Sequence, residues 1–156
     1  MKKLLTLALA TLAFTVSAYG ADNSLGTWKL NTDKSKYTPG ALPLKSLTVV
    51  REAAGDGVKV TNTGERPDGA AINTTYTAKY DGSPSPVSGQ GSPYDTVSVK
   101  QINAGTFSWD AKSSNSKFTS HGRIVVSSDG KTMTMRAKGT DPEGKPVTIT
   151  LVYDKQ

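Results

Sequence analysis

Ala70-Ala71-Ile72-Asn73-Thr74-Thr75-Tyr76-Thr77-Ala78-Lys79-Tyr80 is the stretch that decides the fold class of this 156-residue chain. In an extended backbone, side chains alternate between two faces. Ile72, Thr74, Tyr76, Ala78 and Tyr80 then share one face, and Asn73, Thr75, Thr77 and Lys79 share the other. Period-two alternation of this length, built from aromatic and β-branched residues, predicts a strand with one buried face.

The same period recurs on both sides, with Gly, Asp, Asn and Pro as punctuation. Toward the N-terminus, Gly26 to Leu30 and Leu44 to Glu52 are expected strands, and Val58 to Gly64 pairs back after the Gly55-Asp56-Gly57 turn. Toward the C-terminus, Asp81 to Pro93 is rich in Pro and Gly and reads as a long loop with at most a short edge strand near Val87. Alternation resumes at Tyr94 to Ile102, with Val97 and Val99 on one face. It continues at Thr106 to Lys112 with Phe107, Trp109 and Ala111, and at Phe118 to Ser127 with Phe118, Ser120, Gly122, Ile124 and Val126. Asp129-Gly130 marks a tight hairpin that leads into Lys131 to Gly139, where Met133, Met135 and Ala137 align. The last strand, after Asp141-Pro142-Glu143-Gly144, groups Val147, Ile149, Leu151 and Tyr153.

Eight to ten strands joined by short turns, with no crossover helix to permit parallel pairing, predict an all-β antiparallel fold. Short connections favour an up-and-down barrel. A Greek-key sandwich needs long connections, and only Asn31 to Pro43 and Asp81 to Pro93 supply them.

The N-terminus carries a different pattern. Met1-Lys2-Lys3 precedes an uncharged, mostly apolar run from Leu4 to Val16 that is too short to span a bilayer. Residues 1–20 are therefore expected to be a signal peptide, cleaved after Ala18 or, preferably, Gly20, and residues 21–156 to form one domain. The mature chain is expected in the periplasm or the medium, as a monomer without a membrane anchor. It contains no cysteine, so its core must hold it without disulfides. Its 17 Lys and Arg exceed its 13 Asp and Glu by only four, and the cations are scattered, which argues against nucleic acid as a partner.

Gly26-Thr27-Trp28, opening the first strand, resembles the Gly-x-Trp of lipocalins and the similar openings of fatty-acid-binding proteins and avidins. Together with Lys29-Leu30-Asn31, Lys34-Ser35-Lys36, Tyr80-Asp81-Gly82, Asp129-Gly130-Lys131-Thr132-Met133 and Val152-Tyr153-Asp154-Lys155, it is similar to small secreted bacterial proteins described as lipocalin-like. The resemblance implies a lipocalin-like barrel of the calycin superfamily, with Trp28 closing one end. The Thr-Asp-Tyr motif of lipocalins is missing. The arginine that packs over the tryptophan in those proteins has no clear counterpart, leaving Lys155 or Arg136 as substitutes.

Catalytic and metal chemistry find little footing. His121 is the single histidine, lies opposite Phe118 and Ile124, and lacks a nucleophile-elbow partner. Zinc ligands and a calcium-binding loop are missing, so neither metal nor cofactor is expected. Gly130-Lys131-Thr132 ends like a phosphate-binding loop, but Val125 replaces the leading Gly and no helix follows. Asn73-Thr74-Thr75 matches a glycosylation sequon inside the expected strand, a chance match. Asp95, Asp110 and Asp129 are the carboxylates that would have to converge for hydrolysis, and each reads as a turn or surface residue.

The positive case is a small hydrophobic or amphiphilic ligand inside the barrel. Tyr76, Tyr80, Phe107, Trp109, Phe118, Met133 and Met135 are the candidate lining. Arg51 shares a face with Leu47 and Val49, and either points inward at a ligand carboxylate or sits at the rim. The alternatives are a packed core without a pocket, a non-catalytic structural or protein-interaction module of the cell envelope, and a small hydrolase or isomerase acting inside the same barrel.

Overall fold

Residues 21–156 are described by the structure, a computed structural model. The expected signal peptide and its cleavage site lie outside the described residues. The predicted alternation is seen directly in β4 (Ala71–Lys79), where Ile72, Thr74, Tyr76 and Ala78 are buried and Asn73, Thr77 and Lys79 are exposed. With β1 (Gly26–Thr38), β2 (Ser46–Ala54) and β3 (Gly57–Glu65) it forms the first half of the sheet. The second half contains β5 (Asp81–Pro86), β6 (Ser88–Gln90), β7 (Thr96–Asn103), β8 (Thr106–Lys112), β9 (Thr119–Val126), β10 (Thr132–Thr140) and β11 (Pro146–Lys155).

Every pairing is antiparallel, in the order β5-β7-β8-β9-β10-β11-β1-β2-β3-β4-β6. This is an up-and-down barrel, nearly closed, rather than a sandwich. Closure passes through one residue. The Tyr80 N–H donates to the Asp56 carbonyl at 3.1 Å, on the β3 side, and the Tyr80 carbonyl accepts from Gln101 N–H at 3.1 Å, on the β7 side. Beyond that point the strand halves part: β4 pairs with β6, and β5 pairs with β7.

Two expected loops are partly strand. Asp81 to Pro93 supplies β5 and β6, which flank Val87 and raise the strand number to eleven among the described residues. Pro84 and Pro86 fit there because β5 is an edge strand, where a missing N–H leaves no ladder bond unmade. Strand β1 continues past Leu30 to Thr38 across a register break between Asn31 and Lys36. Side chains carry the break. Ser35 Oγ donates to the Asn31 carbonyl at 2.7 Å and accepts from Val152 N–H at 3.0 Å, and the Asn31 side chain accepts from Lys34 N–H at 3.1 Å. Past the break β1 follows β11 and leaves β2, with which it pairs only from Gly26 to Lys29.

Because the strands alternate in direction, the barrel has two distinct ends. One holds the starts of β1, β3, β8 and β10; the other holds the ends of those strands and the β3–β4, β8–β9 and β10–β11 turns. Trp28, Val58, Val99 and Phe107 are wholly buried in the interior.

Candidate ligand-binding cavity

The first end is sealed by the Gly26-Thr27-Trp28 segment. Trp28 is fully buried, and its indole Nε1 donates to the Ser24 carbonyl at 2.8 Å. Lys155, the register partner of Trp28, lies with Nζ 4.3 Å from the indole centroid and donates to the Leu25 carbonyl. Lys155, not Arg136, therefore supplies the cation over this ring, at a geometry suited to cation–π attraction. The glycine of the motif has two reasons to be there. Gly26 has φ of +119°, and a Cβ on it would sit 2.5 Å from Lys155 Nζ.

Arg51 points inward, 3% exposed, at the same end. Cross-strand register puts it in one row with Val60 and Tyr76. Its Nε donates to Ser24 Oγ at 2.9 Å, and its guanidinium carbon lies 5.5 Å from the Phe107 centroid. Ser24 in turn donates through Oγ at 2.6 Å and N–H at 2.8 Å to Asp22 Oδ1, while the Tyr80 hydroxyl donates to Asp22 Oδ2. A chain of polar contacts thus runs Arg51, Ser24, Asp22, Tyr80. Burial pushes the Tyr80 hydroxyl up to about 12, against a smaller downward pull from Arg51.

Above this floor the interior is not filled. A cavity of about 300 Å³ extends from Arg51 toward the second end, where Tyr37, Arg66, Pro93, Phe118 and Pro142 surround its mouth. Its walls are largely apolar, with Leu44, Leu47, Val49 and Ile72 on one side and Met133, Met135, Ile149 and Leu151 on another. The polar wall groups include a buried pair, Asn62 Nδ2 donating to Thr74 Oγ1 at 3.1 Å. Burial raises the Tyr76, Tyr94 and Tyr153 hydroxyls above the ordinary tyrosine value. Arg51 pulls Tyr76 and Tyr153 partly back, which places both phenols within its field.

Of the residues expected to line a pocket, Arg51, Tyr76, Trp109, Phe118, Met133 and Met135 do so. Tyr80 and Phe107 do not. Their rings pack on each other at 5.2 Å between centroids, below the cavity, because one inward-facing strand side runs through both levels of a tilted barrel. Tyr94 is the lining residue that alternation misplaces. Counting back from Val97 and Val99 puts it outside, yet it precedes the first ladder residue of β7 and the period does not bind it. Ser92 holds this turn, its Oγ donating to the Tyr94 carbonyl at 2.6 Å. The ring turns inward, edge-on to Trp109 at 5.5 Å and stacked on Phe118 at 5.8 Å. A Ser-Pro-aromatic sequence at a strand entrance was the available signal.

The three candidate carboxylates stand apart. Asp95 is held near the mouth by Ser114, which hydrogen-bonds it through N–H and Oγ and draws it below the usual carboxylate range. Asp129 caps the β9–β10 turn at the opposite end, lowered chiefly by Ser127 Oγ. Asp110 faces outward in an exposed contact with His121 Nδ1 at 2.5 Å. The outward histidine agrees with the reading of its strand face.

No protein-family model and no curated protein sequence matches the chain. Solved structures do. Lipocalin 12 from rat epididymis, solved by solution NMR, matches 90% of this chain and 70% of its own at 9% identity and a TM-score of 0.50. EF1p2-mFAP2b bound to DFHBI matches 86% of this chain and 94% of its own at 13% identity and a TM-score of 0.49. The redesigned β-barrel mFAP1, also bound to DFHBI, covers 83% and 94% at 16% identity and a TM-score of 0.41. At such identities the likeness is one of architecture, and the chain has a lipocalin-like fold.

Proposed function

We propose that this protein is an exported, non-catalytic binding protein that holds a small hydrophobic or amphiphilic molecule inside its barrel. The cavity carries this reading. A barrel interior is ordinarily packed to the density of a crystal, and unfilled apolar volume costs stability unless something occupies it. Here about 300 Å³ stands open at one end between apolar walls, while the other end holds the fully buried Trp28, Val58 and Phe107. A space of that size and lining suits a small ligand better than the packed-core alternative.

Export to the periplasm or the medium is supported by the leader-like pattern of residues 1–20, and a monomer by the small number of large hydrophobic side chains exposed among the described residues, Ile102 and Val125. Binding of the neutral dye Nile red, followed by its fluorescence, tests the central claim. The protein is expected to enhance the emission saturably. Met135→Trp, which places an indole in the cavity, is expected to abolish the enhancement while the far-UV circular dichroism stays unchanged. Equal enhancement by both proteins would show that the dye sits elsewhere and would remove the basis of the proposal.

A further inference from the structure

The floor of the cavity carries information about the ligand beyond its size, and its interpretation rests on the binding reading above. A buried cation is costly unless an anion or a full set of acceptors compensates it. Arg51 is such a cation, almost wholly withdrawn from solvent. Its Nε is used by Ser24, and the face of Phe107 supports the guanidinium from one side. Its Nη2 is enclosed and has no hydrogen-bond partner among the described residues. Asp22 does not resolve this, since its two oxygens accept from Ser24 and from Tyr80, and it meets Arg51 only through Ser24 Oγ.

The surroundings share one polarity. Tyr76 stands in the same cross-strand row as Arg51, whose charge and close approach both draw its hydroxyl down, and Tyr153 lies within reach of the same field. Burial keeps these phenols protonated, hence able to donate. Among the lining residues the one carboxylate is Asp141, which belongs to the β10–β11 turn at the mouth. A cationic ammonium head would meet Arg51 with no acid to balance it. A neutral alcohol would offer Arg51 no anionic acceptor of its own.

We propose that the floor is a carboxylate subsite, in which Arg51, assisted by Tyr76 and Tyr153, holds the anionic head of an amphiphile whose apolar tail runs past Leu47 and Met135 toward the mouth. The head enters first and stops at Arg51. A planar carboxylate suits a guanidinium edge, and charge-assisted hydrogen bonds of this kind are the strong ones.

Titration calorimetry with three probes of one tail length tests this: decanoate, decanol and decyltrimethylammonium, each added to the purified protein at one pH and salt concentration. Decanoate is expected to bind about ten- to a hundredfold more tightly than decanol, the range a single charge-assisted bond provides, with the ammonium weakest. Arg51→Met is expected to bring decanoate down to the affinity of decanol and leave decanol nearly unchanged. If that variant does not fold, Tyr153→Phe, which deletes only a hydroxyl, is expected to weaken decanoate selectively. Equal affinities for decanoate and decanol, or a preference for the ammonium, would overturn the carboxylate subsite. If decanol and Nile red bind while decanoate gains nothing, the subsite fails and the binding reading stands; if no probe binds, both fail together.

Discussion

The two ends of this barrel use the same strands and the same alternation, yet one is built to be solid and the other to stay open. At the floor, Trp28, Val58 and Phe107 are fully buried, and Ser24, Asp22 and Tyr80 tie the chain preceding β1 across the end of the barrel. At the mouth, Leu44, Leu47, Phe118, Met135 and Ile149 are only partly buried, and their apolar surface faces the cavity. Burial thus falls from the floor to the mouth. The difference assigns stability to the floor and recognition to the space above it. Natural binding sites are commonly drawn from the less tightly packed part of a fold.

The alkaline limit presses on both ends at once and has the largest expected effect. Unfolded tyrosines ionise near their ordinary value of about 10. Folded Tyr80 ionises at about 12, and Tyr76, Tyr94 and Tyr153 are also raised by burial. Above the unfolded value the native state therefore binds more protons than the unfolded one, and stability must fall as pH rises. Their contribution is complete below that value and is lost as pH climbs through the folded ones. Tyrosinate absorbance is expected to rise in one cooperative step, together with loss of the β-sheet dichroism. A smooth titration of all tyrosines with the sheet intact would show that these phenols are solvated.

Substitution at the floor comes next. Trp28→Ala removes a fully buried indole, its hydrogen bond to the Ser24 carbonyl and the surface on which Lys155 lies. Urea denaturation is expected to show a loss of about 3–5 kcal/mol, the usual cost of deleting a large core aromatic. The smallest stability effect is expected at the mouth. Phe118→Ala trims a partly buried ring stacked on Tyr94 at the edge of the core, and is expected to cost less than about 1 kcal/mol, since its surface was never fully withdrawn from water. The same variant is expected to weaken Nile red binding severalfold. If Phe118→Ala matched Trp28→Ala in stability, the division between a packed floor and a loose mouth would be wrong.

Most of the architecture was readable because period-two alternation survives wherever a ladder holds the backbone. β4 and β8 to β11 lie close to where alternation puts them, and Gly26-Thr27-Trp28 marked the end that is sealed. Reading failed where side chains or edges replace the ladder. Ser35 and Asn31 carry β1 across a break that looked like its end. Pro84 and Pro86 sit in an edge strand that looked like a loop, and Tyr94 turns inward two residues before its strand begins.

The site divides along the same line. Within the ladders, which residues face inward was decided by sequence alone, because that depends on local backbone geometry and the parity of neighbouring positions. Their depth was not, since depth depends on strand tilt and on which row of one strand meets which row of the next. That is why Tyr80 and Phe107 fell among the candidates for the cavity and lie beneath it, and why Arg51 stayed undecided between rim and interior. Only the assembled barrel sets Arg51 in a row with Tyr76, above Phe107 and beside Ser24, where its charge is enclosed and one of its nitrogens still faces no acceptor among the described residues.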